Sequence, residues 1–394
     1  MQFDRQFDKI LPLQDTHSNK WKKAKAVIGM DIEGAIPMWV ADSDYPTASC
    51  VTDALRAAVD FGVFNYGMDR DGYAEAVRWW LETRHDWSID PDWIVTTQGL
   101  GHAIALCIDV WTERGEGVAY FSPVYHEFRL KTERAGRTPV ELPLALVDGR
   151  YELDLDAADA AITPETKVLL FCSPQNPSGR MWTADEIRQV ADFAARHDLI
   201  LVSDEVHCDL VFDGAKHIPT DVAAPEHRDR TITLFAASKT FNLAGLRIGQ
   251  MIIPDADLRA KAAGRLTALN YDPTSLGVTG TMAAFSPAGN VWLGEQMVHL
   301  ARNRDIFDTG INAIPGLHSM RLEATYLPWV DFSGTGMDAD EIARRVMHEA
   351  KVGPAPGHWF GTGGEMHNRF NLAAPRSVIE DTVARLQAAF ADLQ

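Results

Sequence analysis

Four short stretches of this chain carry reactive side chains directly after apolar, β-branched runs. Ser238-Lys239 follows Thr231–Phe235, and Arg247 comes eight positions after the lysine. A lysine at a strand tip is normally a surface charge. Framed here by Ala237, Phe241 and Leu243, it can lose solvent, deprotonate more easily and form a Schiff base, while an arginine nearby suits phosphate. Asp204-Glu205-Val206-His207 follows Leu199–Ser203. An acid at the tip of an apolar strand needs a cation or a protonated ring nitrogen as partner; the plainer reading is a capping Asp204 and a His207 satisfied in the core. Asn176 stands in Ser173-Pro174-Gln175-Asn176-Pro177-Ser178-Gly179-Arg180, after Lys167–Cys172. The prolines stiffen that loop and hold the amide in one place, although alone it could be only a turn. Finally, Gln98-Gly99-Leu100-Gly101-His102 follows Trp93–Thr97 and opens a helix, whose first N–H groups can face an anion. It is not a dinucleotide fingerprint, because Ile104 replaces the third glycine.

Each signal is modest alone. In chain order they give an anion-binding helix start, a fixed asparagine, a buried aspartate, a Ser-Lys pair and an arginine. Pyridoxal phosphate requires this set: a phosphate cradle, a carboxylate on the pyridine nitrogen and a Schiff-base lysine.

The elements that position these residues alternate between helix and strand from about residue 50 to 290. Helices are expected at Cys50–Phe61, Gly72–His85, His102–Thr112 and Thr183–His197, the last opened by a capping box of Thr183 and Glu186. Apolar strands are expected at Trp93–Thr97, Gly117–Phe121, Lys167–Cys172, Leu199–Ser203, Thr231–Phe235 and Gln250–Ile253. Such alternation implies an α/β domain with a mostly parallel sheet, and ligands bind at the carboxyl ends of such strands. After residue 290 the pattern changes to a long helix (Trp292–Ala313), strands near Leu322–Val330, a helix at Asp338–Glu349 and a last helix at Ser377–Leu393. We expect a large domain over 53–289 and a smaller α+β domain built from 1–52 and 290–394.

Composition excludes other classes. The 394 residues are 46% hydrophobic and 23% charged, enough apolar content for a full core and against disorder. With 55 acidic and 37 basic residues the net charge is -18, opposite to what a nucleic-acid or anionic-membrane binder presents. Cys50, Cys107, Cys172 and Cys208 are scattered and read as reduced thiols in the cytoplasm. The first ten residues, MQFDRQFDKI, are charged throughout and do not form a signal peptide. The uncharged run Pro273–Gly294 is too broken by Gly, Pro and polar residues to span a membrane. Thirteen histidines occur without HExxH or His-x-His spacing, so no metal is expected.

The order Asn176-Pro177, Asp204-Glu205, Ser238-Lys239 and Arg247 resembles the fold-type I pyridoxal phosphate enzymes of the class I/II aminotransferase superfamily, over nearly the whole chain. Lys20-Trp21, Pro37-Met38-Trp39-Val40-Ala41-Asp42-Ser43-Asp44, Ser203 to Leu210, Ser238 to Gly245 and Arg369 to Ser377 narrow the resemblance to the cystathionine β-lyase branch of MalY/PatB type. The resemblance implies a seven-stranded, mostly parallel sheet and a homodimer with active sites at the subunit interface. It implies that Lys239 carries the cofactor and then shuttles the substrate's Cα proton, and that Asp204 keeps the pyridine nitrogen protonated. Asn176 and His207 lie beside the cofactor's phenolic oxygen, and Tyr125 stacks on its ring. Gly99, Leu100, Ser238 and Arg247 hold the phosphate, joined by Tyr66 from a second subunit; Arg369, with Asn176 and Tyr66, binds substrate through its carboxylate. Aminotransferases usually have a tyrosine at the position of His207. Ser43, Gln98-Gly99-Leu100-Gly101 and His126 depart from the family pattern and bear on which substrate is used. The implied activity is carbon–sulfur β-elimination from cystathionine or another cysteine S-conjugate. The rivals are an aminotransferase with a keto-acid acceptor and a non-catalytic regulatory or partner-binding protein on the same fold.

Overall fold

Seven strands pair into the main sheet of a computed structural model that describes residues 6–393. The first five residues of the charged N-terminus lie outside the described residues. In chain order the strands are β1 (Ile94–Thr97), β2 (Gly117–Ser122), β3 (Thr138–Pro143), β4 (Thr166–Cys172), β5 (Ile200–Asp204), β6 (Thr231–Phe235) and β7 (Gly249–Ile252). Across the sheet they run β1-β7-β6-β5-β4-β2-β3. All pairs are parallel except those of β7, which is antiparallel to β1 and β6. β2, β6 and β7 are buried along their whole length, as apolar strands with helices on both faces must be. β3 is the strand the apolar pattern did not predict. Pro139, Glu141 and Pro143 interrupt its run, and it lies at the sheet edge bonded to β2 alone, where a residue without an N–H is tolerated.

Four helices form where expected, at Ser49–Phe61, Arg70–His85, Leu100–Trp111 and Ala184–Arg196. Thr183 and Glu186 make the reciprocal capping box. Ile187, Val190, Ala191 and Ala194, spaced three or four apart, then bury one face against Leu169, Phe171 and Leu201 of the sheet.

Beyond Ser286 a 26-residue helix, Pro287–Asn312, leads into a four-stranded antiparallel sheet ordered His318–Ser319, Trp329–Asp331, His367–Arg369, Ala355–Pro356. The helix Arg376–Ala389 closes the chain's regular structure. The N-terminal segment joins this part: Ile36–Pro37 pairs in parallel with Val352–Gly353. Two expectations are corrected here. Of the stretch 322–330 only Trp329 onward is strand; Thr325 has φ +72°, and the N–H groups of Glu323, Ala324 and Thr325 bond to Gly179 and Leu210 instead of a neighbouring strand. The helix at 338–349 is α-helical only over Ala339–Ala343, capped by Asp338, and widens into a π-helical turn over Arg344–Glu349. One apolar core runs through both parts, from Val51, Val77 and Trp80 to Leu300, Phe307 and Phe390. Among the described residues no helix is long and apolar enough to cross a membrane.

Candidate active site

The carboxyl ends of the parallel strands β2, β4, β5 and β6, together with that of β1, share one edge of the sheet. Because β7 is antiparallel, its beginning lies there too, which delivers Arg247 to the same edge. A cleft of about 490 Å³ opens on that edge. Gly99, Leu100, Tyr125, Asn176, Asp204, His207, Ser238, Lys239, Arg247 and Arg369 all line it. Tyr66 does not. Its ring is fully exposed on the loop before Arg70–His85, beside exposed Phe61, Val63 and Phe64.

Local chemistry explains each placement. Gly99 takes φ +79°, open to glycine at little cost, and turns the chain from β1 into Leu100–Trp111, whose N-terminus faces the cleft. The Asn176 loop is tied down from inside. Gln175 donates to the Pro123 carbonyl and accepts from the Ser178 N–H, and the Gln175 N–H bonds to the Arg180 carbonyl. Gly179, at φ +69°, admits the Leu322 side chain, which a Cβ would meet at 2.2 Å. Asp204 is the last residue of β5, opposite Cys172 in register. Lys239 sits in the short helix Ala237–Thr240 that follows β6.

The electrostatics single out four groups. Burial lowers the Lys239 ammonium to about 8, helped by Arg369 and Lys20 and opposed by Asp42 and Asp204. Its amine donates to the Ala41 carbonyl at 2.6 Å. Burial raises Asp204 to about 6, although the Val206 N–H bonds its carboxylate at 3.2 Å. Burial, with Lys239 and Arg369 adding to it, holds His207 well below the ordinary range. It is therefore a neutral imidazole, and its Nδ1 has no partner. Arg369 is buried, which lowers it to about 10. Its Nη1 donates to Asn176 Oδ1 at 2.8 Å and its Nη2 to the Trp39 carbonyl at 2.9 Å, leaving Nε unpartnered.

A buried carboxylate with one donor, a neutralisable amine and an anion-facing helix start beside Ser238 and Arg247 form a set that accepts a compact, planar, phosphorylated cation. The unpartnered Arg369 Nε adds a seat for a second anion, a carboxylate. The pyridoxal phosphate expected from the sequence fits this donor set.

Several residues in the cleft wall or just behind it were not singled out individually in the sequence. Trp359 lies in Gly357–Phe360, a single 3-10 turn without periodicity, and packs with Trp39 and His126 at ring separations of 6.3 and 5.7 Å. Tyr326 donates to the Ala41 carbonyl at 3.2 Å. Asn371 was findable, since two residues beyond Arg369 in extended backbone is the same side of the chain. Behind the cleft, His85, Cys208 and Asp209 converge with ligand-type atoms within 4.8 Å of one another. The Asp209 oxygens are already taken by Trp80, His85 and Thr240.

Comparison with known proteins places this geometry. The family of class I and II aminotransferases matches residues 36–386. Cystathionine beta-lyase PatB of Bacillus subtilis is 32% identical over 392 residues, covering 99% of this chain and 100% of its own. Protein MalY of Escherichia coli is 30% identical over 385 residues, covering 96% and 97%. Among solved structures, cystalysin from Treponema denticola, which contains a pyridoxal 5′-phosphate cofactor, superposes with a TM-score of 0.92 at 31% identity, covering 98% of this chain and 99% of its own.

Proposed function

Since this chain belongs to the class I and II aminotransferase family, we propose that it is a pyridoxal phosphate-dependent carbon–sulfur β-lyase acting on cystathionine or a related cysteine S-conjugate. The observation that carries the reading is the convergence of Lys239, Asp204 and Arg369 in one cleft, on a chain that matches PatB from end to end. Pyridoxal 5′-phosphate supplies, when bound, an electron sink conjugated to the substrate's α-carbon. Lys239 holds it through the ε-amine. Asp204, starved of donors, would accept a hydrogen bond from the protonated pyridine nitrogen and so keep that nitrogen charged. Tyr125 covers the ring face, and the N–H groups at Gly99 and Leu100 hold the phosphate with Ser238 and Arg247.

Arg369 grips the substrate carboxylate, with Asn176 orienting the guanidinium. That grip would fix the orientation of the Cα–H bond, so that the proton and not the carboxylate is lost. The free Lys239 amine would accept the Cα proton; lowered by burial to about 8, it can do so near neutral pH. The β-thiolate would then leave as the thiol, and water would hydrolyse the three-carbon remainder to pyruvate and ammonia. His207, neutral, would lie beside the cofactor's phenolic oxygen, where aminotransferases usually have a tyrosine. Trp39, His126 and Trp359 form an aromatic, uncharged outer wall suited to a thioether; burial lowers His126 to about 4.

The active unit in this reading is a homodimer in which Tyr66 of one subunit completes the phosphate site of the other. The exposed Phe61, Val63, Phe64 and Tyr66, and an Arg247 that is itself exposed, support it. The division into 53–289 and a smaller part from both termini belongs to the same reading, as does a cytoplasmic location, which the four unpaired cysteines fit.

An aminotransferase, favoured by the family match itself, would use all these residues up to the loss of the Cα proton. A product assay separates the two. Incubated with cystathionine and no keto acid, the enzyme should release pyruvate, ammonia and thiol in equal amounts over many turnovers. Turnover that stops after about one equivalent and resumes on adding a keto acid would establish the aminotransferase instead. Smaller S-alkyl cysteines belong in the panel, because Ser43 and His126 depart from the relatives' pattern.

A further inference from the structure

Residues 39–44 cross the cleft as a strap with no strand partner; their backbone is a series of bends. Carbonyls shielded from water outside a sheet need donors from elsewhere, and here five successive ones, on largely half-buried residues, find them in side chains. The Trp39 carbonyl accepts from Arg369, that of Val40 from Asn371 at 2.7 Å, and that of Ala41 from Lys239 and Tyr326. The Asp42 carbonyl accepts from Asn371 and Lys20, and that of Ser43 from Asn242 at 3.0 Å. The two groups that handle substrate amine and substrate carboxylate thus hang from carbonyls two residues apart.

What holds the strap from its other side is Lys20. It is 1% exposed, and its ammonium meets Asp42 Oδ1 at 2.7 Å, Asp44 Oδ1 at 2.9 Å and the Asp42 carbonyl at 2.9 Å. Two of its three donors make hydrogen bonds, to the Asp42 carbonyl and to Asp44, and Asp42 Oδ1 completes an ion pair. The Lys20 carbonyl in turn accepts from the Trp39 indole at 2.9 Å, so the short helix Asn19–Lys22 grips both ends of the strap.

We propose that Lys20, through Asp42 and Asp44, is a positioning residue for the reaction: it fixes the strap carbonyls from which Lys239 and Arg369 are suspended. The inference rests on the reading of Lys239 and Arg369 given above. It assigns a role to the Lys20-Trp21 and Asp42-Ser43-Asp44 runs, which no catalytic step uses. Catalysis is sensitive to displacements of about 1 Å, and loosening the strap frees both groups together.

The test uses the loaded enzyme with Lys20→Met and, as a milder variant, Asp44→Asn. Two readouts are taken on protein that stays folded by thermal melting. One is amide exchange of peptides covering 36–45. The other is the amino-acid concentration that half-saturates the change in the cofactor's visible absorbance. That change precedes loss of the thiolate, so it reads the same whether elimination or transamination follows. Lys20→Met should raise exchange in 36–45 and raise the half-saturating concentration about tenfold or more. Asp44→Asn should move both the same way by less. A purely structural Lys20 would lower the melting temperature and leave the folded fraction's half-saturation unchanged, which would overturn the proposal; so would unchanged exchange over 36–45. If Lys20→Met does not fold, Asp44→Asn decides by the same two readouts.

Discussion

Asp204 and Asp209 lie five residues apart in one segment, both buried, and they behave oppositely. Asp209 faces away from the cleft into a saturated layer. Both its oxygens lie 3.1 Å from the Trp80 indole, His85 Nε2 is at 3.0 Å and the Thr240 hydroxyl at 3.0 Å. Burial pushes its carboxyl up, but His85, Arg84 and Thr240 outweigh that and hold it below the usual range. Asp204 has the Val206 N–H alone and is pushed up to about 6. Lys20, buried, and Lys239, half-buried in the cleft wall, repeat the contrast. Lys20 is lowered by burial and raised further by Asp44 and Asp42, ending above its ordinary value; Lys239 has one carbonyl acceptor and ends at about 8. Loss of solvent acts on all four groups, so desolvation alone does not make a site. What distinguishes the cleft is the missing partner, which a ligand must supply.

The largest effect expected is on Lys239. Lys239→Ala should remove the visible absorbance of the loaded protein and at least about 10³-fold of turnover, the scale of a lost proton-transfer group; normal activity in that variant would move the site elsewhere. The two aspartates should then separate by kind of damage. Asp209→Ala strips a buried network of its charge and should cost about 3–5 kcal/mol of folding stability, read by denaturant unfolding. Asp204→Asn should weaken cofactor retention and turnover and leave the ligand-free fold intact.

Indeed it should stabilise that fold, with a defined pH dependence. A carboxyl raised from 3.8 unfolded to about 6 folded contributes fully below 3.8 and loses that contribution as pH rises through 6. Ligand-free Asp204→Asn should therefore gain up to about 3 kcal/mol over the parent at pH 7–8, and nothing below pH 3.8. A gain that is independent of pH would contradict a charged, starved Asp204. Arg369→Lys should follow with a loss on the order of tenfold in kcat/KM, since a lysine cannot form the fork; unchanged activity of Arg369→Ala on the free amino acid would refute the carboxylate role. The smallest effect expected is Tyr66→Phe, a few-fold weaker hold on the cofactor with the fold unchanged. A fully active monomer in sedimentation would break that prediction.

The strand tips were legible because β5 and β6 are uncharged, β-branched and apolar up to their ends, so Asp204 and Ser238-Lys239 stand out there. The Asn176 loop was legible through its two prolines. β3 was not, because an edge strand can afford Pro139, Glu141 and Pro143 and so shows no apolar run. The turn at Thr325 was hidden behind Leu322, Ala324 and Tyr326, which alternate like a strand while their backbone bonds elsewhere. Trp359 had no local signal, its place in the cleft being set by packing against Trp39 and His126. The strap's role was invisible for a different reason. Its contacts are backbone carbonyls, and every residue type has one.

Lys20 and Lys239 share the strap, the loss of solvent and the nearby carboxylates, and the account holds that only the starved one reacts. Reducing the loaded protein with borohydride makes the lysine–cofactor bond permanent, and peptide mass mapping then locates it. The account predicts one cofactor adduct per chain, on Lys239, with the peptide containing Lys20 unmodified. An adduct on Lys20, or on any lysine other than Lys239, would contradict it.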